Sequence, residues 1–128
     1  MTDIQGPDDI KLLIDSFYFA VRKDELLGPI FQQKIPGDWA PHLQVMYSFW
    51  NSVLFASGGY RGNPFMKHAG MPIYSQHFER WIVLFHQTID GLFAGSVADD
   101  AKQKAVKMSL LFQYKLNDIR AGGTTPLF

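Results

Sequence analysis

The stretch SQHFERWIVLFHQTIDGLF, residues 75–93, decides the fold class. Phe78, Trp81, Ile82, Phe85, Ile89 and Phe93 recur at three- and four-residue steps, which puts them on one face of an α-helix; a strand would alternate them. Ser75 reads as the N-cap, and Gly91 and Gly95 soften the far end. Its unbroken apolar run, Trp81 to Phe85, is far short of the ~20 residues that a membrane span needs.

The same helical period continues outward in both directions. Behind Pro7-Asp8-Asp9, apolar side chains fall at Ile10, Leu13, Ile14, Phe17, Tyr18 and Val21, with Arg22 and Lys23 at the negative end of the helix dipole. Asp24 is placed to cap a short turn over Glu25-Leu26-Leu27, Gly28-Pro29 to break it, and Gln32 to Gly37 to form a loop. Asp38 is expected to cap a second long helix ending at Gly58-Gly59. This helix carries the stripes Leu43-Met46-Tyr47-Trp50-Leu54 and Met46-Phe49-Val53, the second continuing back to His42. Asn63-Pro64 opens a brief segment that holds His68. Ser96 with Asp99 resembles a capping box for a last helix through Ala101, Ala105, Met108, Phe112, Leu116 and Ile119. The expectation is one all-α domain over residues 1–128, loose from about residue 121.

Composition narrows the function. Twelve basic and twelve acidic residues leave no net charge, which excludes the basic footprint that nucleic acid demands. No cysteine is present, so disulfides, thiolate metal sites, iron–sulfur clusters and cysteine nucleophiles are excluded together. The acidic, polar start MTDIQGPDDI lacks the features of a secretory signal, so a soluble cytoplasmic protein with no membrane partner is expected. Eleven Phe, five Tyr and three Trp, 15% of 128 residues, supply more flat apolar surface than so small a domain obviously needs for itself. Something flat sharing the core would account for them.

Nucleophile elbows and phosphate loops are missing. The carboxylate pairs Asp8-Asp9 and Asp99-Asp100 sit at helix starts, where a structural role suffices. His77 and His86, nine residues apart on one helix, point about 180° apart and cannot share an ion. His42 and His68 lie on separate segments without a metal-ligand spacing. What stands out is a set of rings with polar tips, Tyr18, His42 and Trp81, within apolar stripes. Each alone is an ordinary core residue; together they suggest a polar patch inside an apolar cavity.

In order and spacing, these residues resemble the truncated haemoglobins, specifically their third group, from about Phe17 to Phe112. The resemblance rests on Phe17-Tyr18, Leu27-Gly28-Pro29-Ile30-Phe31, Trp39 and His42 leading to Phe49-Trp50, Tyr60-Arg61-Gly62-Asn63-Pro64 running into Lys67-His68, and His77 through Phe85. Only one of the family's two Gly-Gly breaks is present, Gly58-Gly59, a relaxation known in group three. The resemblance implies a two-over-two helical sandwich around haem b, iron protoporphyrin IX, with His68 as the iron ligand. Tyr18, His42 and Trp81 would face the bound ligand and Phe31 would pack on the haem face. Phe49, Ile73, Tyr74 and Phe78 would line the pocket, and Arg61 and Lys67 would meet the propionates.

The function so implied is binding of O₂ and other diatomic ligands, NO and CO among them, at a five-coordinate iron. Turnover of nitric oxide or peroxide, with a reductase as partner, would follow from a pocket that slows oxygen release. Oxygen storage, sensing, transport or delivery by the same pocket is the non-catalytic alternative. A haem-free helical interaction domain is the third reading. Oligomeric state is not legible in the sequence.

Overall fold

A computed structural model describes residues 1–56 and 73–120. Five helices make up the described fold: α1 Pro7–Lys23, α2 Gly28–Lys34, α3 Ala40–Phe55, α4 Ser75–Leu92 and α5 Ser96–Arg120. Helix α1 packs on α3 and on α4, α4 pairs with α5, and α2 folds back on α1, so two helix pairs lie one over the other. The six apolar positions read on α1 are its six buried residues. Phe17, Val21, Phe85 and Ile89, all 0–1% exposed, form the centre where α1 crosses α4.

Several boundaries differ from the sequence expectation. Pro29 begins α2 instead of breaking a helix, because its missing N–H falls in the first turn where no intrahelical acceptor is available. Gly28 fits there because a Cβ would sit 2.8 Å from the Arg22 carbonyl oxygen. Helix α3 starts at Ala40, and Asp38 accepts the Ala40 N–H at 3.0 Å one residue upstream of the cap position. Ala56, in the left-handed region at φ 54°, closes α3 before the glycine pair is reached. Tyr74, not Ser75, occupies the cap position of α4.

Helix α5 is capped from the other end of the chain. Asp3 accepts the N–H groups of Val97 and Ala98, each at 2.9 Å, and Ala94 N–H donates to the Thr2 carbonyl. These bonds, led by that from Val97, hold the Asp3 carboxyl below its ordinary value.

Asp24 behaves as expected of a cap and does more. Its carboxylate accepts the N–H groups of Leu26 and Leu27 and a 2.6 Å bond from Arg80 on α4, tying the α1–α2 corner to the second layer. The Asp24 side chain is 3% exposed, whereas that of Arg80 is 46% exposed. Asp24→Ala is expected to destabilise the fold by about 2–3 kcal/mol, combining a lost cap with a lost charge-assisted bond. Arg80 can rehydrate, which keeps the cost below that of orphaning a buried charge. Burial alone would push the Asp24 carboxyl up, but the bonds from Leu27, Arg80 and Leu26 hold it below the usual carboxylate range. Its contribution is therefore complete above the unfolded value of about 4 and is lost as pH falls through the folded value. Denaturant midpoints measured from pH 7 downward should converge for wild type and variant at the acid end; a constant gap would contradict this assignment.

Candidate haem pocket

A cleft opens between the two layers, an apolar pocket whose closed part holds about 60 Å³ and whose mouth is continuous with solvent. Tyr18 and Phe31 line it from α1 and α2, Met46, Phe49 and Trp50 from α3, Ile73 from just before α4, His77, Phe78 and Trp81 from the start of α4, and Met108, Ser109 and Phe112 from α5. Among the described residues no charged side chain lines it. Ile30, Phe49, Trp81, Met108 and Phe112 are apolar, carry helical core spacing and yet are only partly buried. Their shared exposure into one space is the mark of a core that lacks a central piece, and its flat aromatic walls fit a porphyrin.

The polar groups are few. Tyr18 is 6% exposed, and burial pushes its phenol well above the ordinary value, so it stays an O–H donor. No hydrogen bond to its hydroxyl forms among the described residues. His42, half-buried, presents its ring edge to Tyr18 at 5.1 Å and to Trp39 at 5.7 Å, behind the lining. The Trp81 ring stacks on Phe85 at 5.3 Å and meets Phe17 edge-on, which fixes its plane. His77 Nδ1 accepts the Tyr74 N–H at 2.9 Å, leaving Nε2 as the nitrogen able to reach into the space.

Six of the site residues singled out in the sequence therefore converge on the cavity: Tyr18, Phe31, Phe49, Ile73, Phe78 and Trp81. Tyr74 does not join them. It is 51% exposed, and the Arg120 guanidinium lies 4.3 Å from its ring centre, because the cap position turns the side chain outward. His68, Arg61 and Lys67 lie outside the described residues. The expected separation of His77 and His86 holds: His86 faces α5, with Nε2 3.3 Å from the Lys102 carbonyl oxygen. No group of three or more metal-ligating side chains occurs among the described residues.

Sequence reading missed His77, Met46, Trp50, Met108, Ser109 and Phe112 as lining. Their helical spacing marks them as inward-facing, but it does not separate packing on a neighbour from facing a cavity. Trp39 was missed as well: its ring is 5% exposed and its Nε1–H is buried with no acceptor among the described residues.

A helical two-layer sandwich around an apolar, aromatic-walled cavity with a buried phenol is the architecture of a globin. The family of bacterial-like globins matches residues 2–113, and the chain belongs to it, within the group III truncated haemoglobins. Group 3 truncated hemoglobin ctb of Campylobacter jejuni is 33% identical over 113 residues, covering 85% of this chain and 89% of that protein. The crystal structure of a group III truncated hemoglobin from Campylobacter jejuni superposes with a TM-score of 0.82 at 31% identity, covering 91% of this chain and 95% of the other. As a globin the protein binds haem and, through it, small ligands. No helix among the described residues is long and apolar enough to cross a membrane.

Proposed function

We propose that the protein binds O₂ and other diatomic ligands on haem b held by His68, with Tyr18 and Trp81 as the donors that retain the ligand. The observation that carries this reading is a buried phenol, without an acceptor among the described residues, at the wall of an apolar, aromatic-lined pocket. When bound, haem would supply an iron able to take up a diatomic ligand and place partial negative charge on it. Tyr18 O–H and Trp81 Nε1–H would donate to that charge, and donation to an anionic acceptor is the stronger kind of hydrogen bond. His42, packed on Tyr18 and Trp39, orients the phenol and controls access from that side. Phe31 and Phe49 wall the ring system and exclude water. The cations Arg61 and Lys67 would pair with the propionates.

Two strong donors oppose quick unloading, which favours turnover of nitric oxide or peroxide with an external reductase over oxygen transport. The deciding experiment is multiple-turnover consumption of nitric oxide or hydrogen peroxide by the haem-loaded protein with a reductase and NADH. Many turnovers per haem are expected; a single stoichiometric reaction would instead support storage or sensing by the same pocket.

A further inference from the structure

Helix α5 carries apolar side chains on two opposite faces. Met108 and Phe112 line the pocket on one. On the other, Gln103, Val106, Leu110, Tyr114 and Asn117 fall within an arc of about 80°, at about 100° per residue. Val106 is 36%, Leu110 61% and Tyr114 64% exposed, and the two amides beyond them are exposed as well. Leu111, 48% exposed, widens the stripe along one edge. Single exposed apolar residues are ordinary on a protein surface, whereas a contiguous run of large ones marks a place of contact.

The order of these side chains selects the partner. About Leu110 the stripe reads alike in both directions: amide, apolar, leucine, apolar, amide, at steps of three, four, four and three residues. A contact with two-fold symmetry requires such self-complementarity, because one patch must serve both sides. A second copy of α5 laid antiparallel, with the axis at Leu110, sets that leucine on the partner's Leu110. Val106 then meets the partner's Tyr114, and Gln103 meets the partner's Asn117. Apolar groups face each other at the centre, and the amides at the ends can each donate and accept. Lys107, at the edge of the stripe, comes within reach of the partner's Tyr114 ring, where a cation over the π-face is attractive.

Electrostatics agrees with a like partner. The five stripe residues carry no charge, and the chain has no net charge to hold two copies apart. An anionic lipid or protein surface fits less well, since the flanking cations Lys102 and Lys104 are already paired with Asp90 and Asp100 at 2.7 and 2.9 Å.

We propose that this face of α5 is a self-association surface, on which two copies of the chain pair through antiparallel α5 helices about a two-fold axis at Leu110. The pairing sets the two pockets on opposite sides of the joined helices. It rests on the outer surface of α5 and stands apart from the haem reading.

Sedimentation velocity over a range of protein concentrations tests the pairing. The wild type should rise from the mass of one chain toward that of two. Leu110→Glu should weaken association by at least about 100-fold, because two leucines leave an apolar contact together. Its thermal unfolding should match wild type, since Leu110 is mostly exposed in the single chain. The chain has no cysteine, so introduced thiols report the contact directly. Leu110→Cys should give a disulfide-linked dimer under mild oxidation, whereas Phe19→Cys, on the exposed side of α1, should not. Val106→Cys mixed with Tyr114→Cys should give more of the mixed dimer than of either like dimer, as the antiparallel register requires. A wild type that keeps the mass of one chain at every concentration would overturn the proposal and leave the stripe to a different partner. Association unchanged in Leu110→Glu, or a dimer of Phe19→Cys as abundant as that of Leu110→Cys, would place the contact on another face, and an excess of like dimers in the mixture would overturn the two-fold at Leu110.

Discussion

His68→Ala is expected to yield a folded protein that no longer holds haem stably. Of the other three histidines, His86 contacts the Lys102 carbonyl and His42 packs its ring on Tyr18 and Trp39, while His77 lines the cavity with only its Nδ1 bound, by the Tyr74 N–H. Ile73 lines the cavity, and His68 stands five residues before it. Five residues span at most about 17 Å, so the imidazole lies within chain reach of the space. Cysteine is absent, and no charged side chain lines the cavity among the described residues, so no thiolate or carboxylate substitutes there. Loss of the only imidazole on the iron should exceed the roughly 10–100-fold that removal of a mere supporting partner costs a metal site. Haem transfer to an apo-globin acceptor measures this loss directly. Added imidazole should restore a ligated spectrum in the variant, and an unaltered five-coordinate ferrous spectrum without it would assign the ligand elsewhere.

Tyr18→Phe is expected to accelerate oxygen dissociation by about 10–100-fold. A hydrogen bond to a charged acceptor contributes about 1.5–3 kcal/mol, and each 1.4 kcal/mol is about tenfold. The variant keeps the ring that packs edge-on against Phe17, so the fold should be undisturbed. Trp81→Phe should have a smaller effect, because Trp81 is only half-buried and its donor competes with solvent. If the two donors share one ligand atom, the double variant will be less than additive in free energy. Since burial holds the Tyr18 phenol above its ordinary value, dissociation from wild type should not change with pH up to about 10, the normal tyrosine range. Stopped-flow displacement by carbon monoxide reads both effects, and equal rates for wild type and Tyr18→Phe would remove Tyr18 from the ligand.

The helices that carry the site were legible because their burial is one-sided. All six apolar positions of α1 are buried, and α4 buries Phe78, Phe85 and Ile89 as its spacing demands. What escaped sequence reading was set by distance along the chain or by choice between equivalent local signals. Asp3 caps α5 from more than ninety residues away, and no local pattern announces it. Pro29 was read as a breaker, although the same ring constraint starts a helix when it falls in the first turn. Tyr74, adjacent to the lining residue Ile73, faces solvent because the extended backbone at the cap turns successive side chains opposite ways. Within the site, aromatic excess pointed to something flat sharing the core, while its location required the packing of five helices.

The central claim is that haem fills this cavity with His68 on the iron. Titration of haem into the purified protein, followed at the Soret band before and after reduction, tests it most directly. The account predicts saturation at one haem per chain and a five-coordinate ferrous spectrum that shifts with oxygen and with carbon monoxide; no Soret band at stoichiometric haem, or one identical in His68→Ala, would contradict it.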